Sequence, residues 1–150
     1  MLATVDRVVF KSFPTPETRA PMPKLLCVDD DPDVQTTIEM RMRDYRVEVE
    51  HAFYGMQGIT ETIKNHPDVI LMDIAMPNGN GEYLLDCIKR NAATSDIPVV
   101  VLTGMRDPGL RKKMISAGAA AFLSKPVAFD ELLHTLGQFV DLRPHDQESR

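Results

Sequence analysis

Four short apolar runs in this chain each end on polar residues, and that pattern limits the fold more than any other feature. Lys24-Leu25-Leu26-Cys27-Val28 ends on Asp29-Asp30, Val69-Ile70-Leu71-Met72 on Asp73, Val99-Val100-Val101-Leu102 on Thr103, and Ala121-Phe122-Leu123-Ser124 on Lys125-Pro126. Such runs read as strands, and stretches of helical period separate them, which predicts a parallel sheet covered on both faces. Ligands of an open α/β sheet bind in the crevice outside the carboxyl ends of its strands, so residues far apart in sequence converge there. Three carboxylates, one hydroxyl and one ammonium would share that crevice. Clustered carboxylates repel unless a cation joins them, and an all-oxygen cluster suits Mg²⁺. A Lys and a Thr beside a half-coordinated Mg²⁺ suit a phosphoryl group.

The intervening residues supply the rest of the alternation. Asp31 is placed to cap a first helix with Pro32 at its first position, and Val34, Ile38 and Met42 recur on one face. Val47 and Val49 alternate with Glu48 and Glu50, which predicts a half-exposed second strand at an edge. Residues 55–64 form the second helix, 68–72 the third strand, and 81–90 the third helix, with Leu84, Leu85 and Ile88 buried. The fourth strand spans 97–102. Asp107-Pro108 repeats the cap-then-proline start for a fourth helix that Gly118 ends, and 120–123 make the fifth strand. Phe129, Leu132, Leu133, Leu136 and Val140 carry the fifth helix.

Residues 24–140 therefore form one domain. Before it, residues 1–23 hold Pro14, Pro16, Pro21 and Pro23 among Thr, Glu and Arg, the composition of an extended, disordered segment. Met22 stands just ahead of Pro23-Lys24 and is a candidate alternative start of translation. After the domain, Asp141 to Arg150 is a polar tail. A net charge of -5 argues against a nucleic-acid-binding surface, which needs clustered Lys and Arg. No apolar stretch reaches the ~18 residues of a membrane span and no signal peptide is evident, so a soluble, cytoplasmic protein is expected. Cys27 and Cys87 lack metal-ligand spacing and read as reduced packing residues; His51, His66, His134 and His145 share no partner.

Taken together, Val28-Asp29-Asp30-Asp31-Pro32, Leu71-Met72-Asp73-Ile74-Ala75-Met76-Pro77, Val101-Leu102-Thr103-Gly104 and Phe122-Leu123-Ser124-Lys125-Pro126 resemble the receiver domain of two-component response regulators, with all four motifs in the family's order. The resemblance covers residues 24 to 140. It implies a flavodoxin-like, doubly wound sheet of five parallel strands in the order 2-1-3-4-5 with five helices. It implies Asp73 as phosphoacceptor, which agrees with the chemistry of a strand-end carboxylate beside a cation. By the same resemblance Asp30 and Asp73 ligate Mg²⁺ directly, Asp29 acts through a bound water, and the backbone carbonyl of Ala75 adds an oxygen. Lys125 faces the phosphoryl oxygens, Thr103 hydrogen-bonds one of them, and Gly104 leaves room for the donor. Pro126 makes the preceding bond a candidate for cis.

Phe122 occupies the place of an aromatic switch residue coupled to Thr103. Having no hydroxyl, it is expected to be held inward by apolar packing alone. Ala75 and Met105 stand two residues after Asp73 and Thr103, positions that govern water access in the family, and neither side chain orients a water. The resemblance implies a stand-alone receiver that takes its phosphoryl group from a sensor histidine kinase or a histidine phosphotransfer protein. It would be a signalling module that catalyses only its own phosphorylation and dephosphorylation. Output would pass to a protein partner through the fourth helix, fifth strand and fifth helix, including Arg106, Arg111, Lys112 and Phe122, in a monomer or a phosphorylation-dependent dimer. Two alternatives stay open. A Mg²⁺-dependent aspartyl-phosphate phosphohydrolase would use the Asp-x-Asp spacing of Asp29 and Asp31, although Pro32 follows and no cap domain is present. The other is a receiver serving unphosphorylated as a scaffold.

Overall fold

The computed structural model describes residues 21–76 and 81–145. Residues 1–20 of the expected N-terminal segment, Pro77 of the second motif and the last five residues of the tail lie outside them. The strands are β1 (Lys24–Val28), β2 (Glu48–Ala52), β3 (Val69–Met72), β4 (Val99–Thr103) and β5 (Ala121–Ser124). Between and after them run α1 (Pro32–Met42), α2 (Gly55–Asn65), α3 (Gly81–Arg90), α4 (Leu110–Ser116) and α5 (Phe129–Leu136). All four ladders are parallel, as the strand pattern implied, and the order is β2-β1-β3-β4-β5, the flavodoxin-like arrangement that the resemblance implied. β2 is an edge strand.

Because successive side chains of a strand point to opposite faces, each strand feeds two cores. Leu26, Val28, Ile70, Met72, Val99, Val101 and Phe122 pack with Leu84, Leu85 and Ile88 of α3 and Met114 of α4. Leu25, Cys27, Val69, Leu71, Val100 and Leu102 pack with Ile38 and Met42 of α1 and Leu132 and Leu136 of α5. Both faces are covered, so the central strands are apolar throughout. Burial also pushes the Cys27 thiol far above its ordinary range, with Asp29 adding to the effect, which leaves it an inert packing group. Among the described residues no helix is long and apolar enough to cross a membrane.

Local signals set the start of α1 and the end of α4. The Asp31 side chain accepts from the Asp33 amide at 2.9 Å and Pro32 opens α1. At the end of α4, Gly118 has φ 111, its amide donates to Ile115 and the next amide, of Ala119, donates to Met114, a Schellman ending. The start of α4 departs from expectation. Asp107-Pro108 does not open the helix; the Asp107 carbonyl instead accepts from Leu110 at 3.2 Å, and Gly109 at φ 81 interrupts the right-handed spiral, so α4 begins two residues later than the Asp-Pro pair implied. α5 stops at Leu136, short of Val140. Residues 143–145, expected within a polar tail, pair with the segment before β2: Arg46 donates to the Arg143 carbonyl at 2.8 Å and His145 to that of Asp44 at 2.9 Å.

Candidate functional site

β1 and β3 lie side by side with Val28 opposite Met72, so the residue after each emerges at the same edge of the sheet. The Asp73 amide donates to the Val28 carbonyl at 2.9 Å and the Asp29 amide to that of Ala52 at 3.0 Å, which extends the ladders by one residue and fixes both acids. Asp29 and Asp73 are buried and Asp30 is exposed. One carboxylate oxygen of each of the three lies within 4.8 Å of the others. From the far side, after β5, Lys125 reaches in: its Nζ donates to Asp29 Oδ2 at 2.8 Å and to Asp73 Oδ2 at 2.9 Å. Topology alone brings together residues 96 and 52 positions apart.

A repeated local device turns the strand-end side chains. Asp29 Oδ1 accepts from the Asp31 amide at 2.9 Å, Asp73 Oδ1 from the Ala75 amide at 2.9 Å, and Thr103 Oγ1 from the Met105 amide at 3.2 Å. Each is a side chain bonded to the backbone two residues on, the geometry that Asp and Thr favour at turns. It fixes the rotamer and leaves further lone pairs on the same oxygens. Thr103 is fully buried.

Electrostatically the cluster is one coupled unit. Burial is the largest influence on Asp29 and raises its carboxyl above the ordinary aspartate range, against the bonds from Lys125 and Asp31 that pull it down. For Lys125, burial is again the largest single influence and lowers it, but the contacts with Asp29 and Asp73 together outweigh it and raise the ammonium above its ordinary value. Both shifts have one origin. Charges taken from water are costly, and two carboxylates share a single counter-charge.

That donor set fits Mg²⁺. The cation takes few protein oxygens, retains several waters and prefers carboxylates, and three carboxylates facing one ammonium leave a net negative pocket with one acid, Asp30, at its open side. Among the described residues no sulfur or imidazole belongs to the cluster.

The remaining residues singled out in the sequence fall as follows. The Lys125–Pro126 peptide is cis. The Lys125 amide donates to the Thr103 carbonyl at 2.8 Å, and its carbonyl accepts from Arg106 Nη2 at 3.0 Å. Ala75, Gly104 and Met105 are exposed around the crevice, and a Cβ added at Gly104 would come no nearer than 4.0 Å to Lys125, so that side is open. Phe122 is buried, turned into the core shared with α3 and α4. Beside it Arg111 Nη2 donates to the Phe122 backbone carbonyl at 3.0 Å, a bond that does not fix the ring, and the guanidinium stands 6.0 Å from the ring centre, at the limit of a cation–π contact.

One buried polar group next to the site escaped the sequence reading. Gln35 of α1 is almost fully buried and reaches the Asp29 backbone. Its signal was present: Gln35, Ile38 and Met42 are spaced by three and four, so a polar residue sits on the buried stripe of an amphipathic helix.

Comparison with known proteins agrees with this geometry. Residues 25–137 match the family described as the response regulator receiver domain. The chain is 33% identical over 117 residues to the transcriptional regulatory protein PrrA of Mycobacterium tuberculosis, a match covering 78% of this chain and 49% of that protein. The DNA-binding dual master transcriptional regulator RpaA of Synechocystis is 29% identical over 112 residues, 75% of this chain and 46% of that one. The chain thus spans about half the length of these relatives. Among solved structures, the chemotaxis response regulator CheY4 of Vibrio cholerae superposes with a TM-score of 0.73 at 28% identity, covering 79% of this chain and 99% of that one.

Proposed function

From the premise that this chain belongs to the response regulator receiver domain family, as the match over residues 25–137 shows, we propose that Asp73 accepts a phosphoryl group and that the resulting change at Thr103 and Phe122 is read by a partner protein. The observation that carries this reading is Lys125, whose Nζ bridges Asp29 and Asp73 at the mouth of the crevice. An ammonium held there by two acids is placed to follow a developing negative charge.

The Asp73 carboxylate is fixed by the Ala75 amide and by Lys125, and those contacts still leave lone pairs on its oxygens. Asp29 is held by an equivalent pair of contacts, so it is the family resemblance that selects Asp73 as the acid that attacks. A carboxylate oxygen forms the new O–P bond while the N–P bond of a phosphohistidine on a kinase or phosphotransfer protein breaks, and the electron pair leaves with the imidazole nitrogen. Lys125 then turns from the carboxylate toward a phosphoryl oxygen, and the Thr103 hydroxyl donates to another. Asp29, Asp30, Asp73 and the Ala75 carbonyl would hold Mg²⁺, which when bound neutralises charge on the transferring group. Lys125 already neutralises part of the acidic cluster, so the pocket is prepared for a divalent cation and an anion together.

Output would leave through α4, β5 and α5. Arg106, Arg111 and Lys112 are exposed there, and two of them already donate to the backbone of β5 or the residue after it. A shift at Thr103 would therefore reach that face through Arg106 and Arg111, with Phe122 as the buried element between them. The phosphohydrolase alternative is weaker on a specific contact. Asp31, which would serve as its second acid, accepts from the Asp33 amide as the cap of α1.

The test is intact mass spectrometry after incubation with acetyl phosphate and Mg²⁺. One phosphoryl adduct is expected on the parent, none with EDTA and none on Asp73→Asn. An undiminished adduct on Asp73→Asn would refute the assignment.

A further inference from the structure

Gln35 is 2% exposed, and its Nε2 lies 3.0 Å from the Cys27 carbonyl oxygen, 3.1 Å from that of Asp29 and 2.9 Å from that of Ala52. Three acceptors around one atom fix the amide: the opposite orientation would set Oε1 against three oxygens. Oε1 accordingly faces His51 Nδ1, with which it makes a short hydrogen bond. Because Oε1 only accepts, the His51 Nδ1 must carry the hydrogen. The ring's Nε2 is buried without a hydrogen bond, with Glu39 Oε2 3.4 Å away.

With two hydrogens for three acceptors, one side chain therefore shares its donors among the ends of β1 and β2 and the first residue of the acidic loop. These contacts sit where the sheet gives out. The β1–β2 pairing ends at Val28 opposite Ala52, and the Asp29 amide to the Ala52 carbonyl is the one further rung. Past it, the Asp29 carbonyl belongs to the planar peptide that joins Asp29 to Asp30. Rotating that plane would swing Asp30, whose carboxylate accepts no hydrogen bond among the described residues, unlike those of Asp29 and Asp73.

We infer that Gln35, oriented by His51, is a positioning residue of the acidic cluster: it holds the Asp29–Asp30 peptide plane and through it the place of the Asp30 carboxylate. The inference rests on reading the cluster as a Mg²⁺ site. An apolar side chain on α1 at this point would serve the core equally well, and the edge strand β2 would keep its ladder. What it would lack is a donor for the Asp29 carbonyl and an acceptor for His51 Nδ1.

The experiment is Mg²⁺ titration by calorimetry on the full chain, its Gln35→Met variant and its His51→Leu variant, with ¹⁵N NMR of the His51 ring in the parent and in Gln35→Met. The parent should bind Mg²⁺ with His51 protonated at Nδ1. Gln35→Met should raise the Kd for Mg²⁺ about tenfold, the low end of what losing a support of a metal ligand costs, and should let the His51 proton move to Nε2. His51→Leu, which leaves α1 untouched, should raise the Kd less. Affinity indistinguishable from the parent in Gln35→Met overturns the inference; should that variant not fold, the same result in His51→Leu does so. A parent ring without a hydrogen on Nδ1 also overturns it. A parent that binds no Mg²⁺ fails at the earlier step and removes the metal reading itself.

Discussion

The amide of Lys125 donates to the carbonyl oxygen of Thr103 across 2.8 Å, one residue past the last pair of the β4–β5 ladder. Arg106, in the loop after β4, takes the Lys125 carbonyl at 3.0 Å. The backbone of Lys125 is thus held on both sides by the strand that ends in Thr103 and its loop, while its ammonium spans two acids on the other side of the crevice. The hydroxyl and the ammonium that would meet a phosphoryl group are parts of one mechanical unit, so displacing one strand end carries the other.

Replacing Lys125 by Ala should separate metal binding from phosphoryl transfer. Mg²⁺ affinity is expected to hold or to tighten, because the ammonium competes with the metal for Asp29 and Asp73. Phosphorylation by acetyl phosphate should slow at least about tenfold, as expected when a donor to developing charge is removed. Without metal the variant should lose about 2 kcal/mol of stability. That is below the value for a fully buried pair, because a quarter of the Lys125 side chain meets solvent. Thermal unfolding in EDTA and in Mg²⁺ checks it: Mg²⁺ should raise the melting temperature more in Lys125→Ala than in the parent. Equal loss of Mg²⁺ affinity in Lys125→Ala and Asp30→Ala contradicts these roles.

Ala75 and Met105 border the crevice, and neither side chain can hydrogen-bond an attacking water, so the acyl phosphate should be long-lived. A variant carrying both Ala75→Asn and Met105→Glu should lose phosphate faster, by about tenfold on the usual scale of positioned proton transfer. The measurement is a decay time course in excess Mg²⁺ after donor removal. Decay no faster than the parent's would mean that water access is set elsewhere.

Gly81→Ala should disturb the phosphoacceptor segment from outside the acidic cluster. A Cβ at Gly81 would stand 2.3 Å from Ile74 Cα and 2.8 Å from the Asp73 carbonyl oxygen, both backbone atoms that no rotamer change can move. We expect a loss of about 1–3 kcal/mol, the usual cost of overpacking, and a reduced adduct yield on Asp73. Urea unfolding and intact mass read the two effects. Parent-like stability would show that the third helix can shift without cost.

Much of this site was legible because it depends on strand order. Once Asp29, Asp73, Thr103 and Lys125 were placed at the ends of parallel strands, the sheet brought them together. Contacts that depend on side-chain reach were not legible. Arg106 and Arg111 were expected on the output face, yet both also donate to backbone carbonyls, because each lies within one side chain's length of β5 or its end. Asp107-Pro108 carried a helix-start signal, and Gly109 two residues later overrode it by taking a left-handed turn. Gln35 was visible as a polar residue on an apolar stripe, but its partners come from β1 and β2, and no local pattern names them.

The edge position of β2 bears on how the molecule behaves in crowds. An edge strand offers unpaired amides and carbonyls to any other chain, a template for runaway association. Glu48 and Glu50 share one face of that strand, two residues apart, so a second copy aligned antiparallel against it would set carboxylate against carboxylate. The repulsion acts only at the short range of such a contact and fades with salt. The chain therefore carries on this border its own deterrent to growing into a larger sheet.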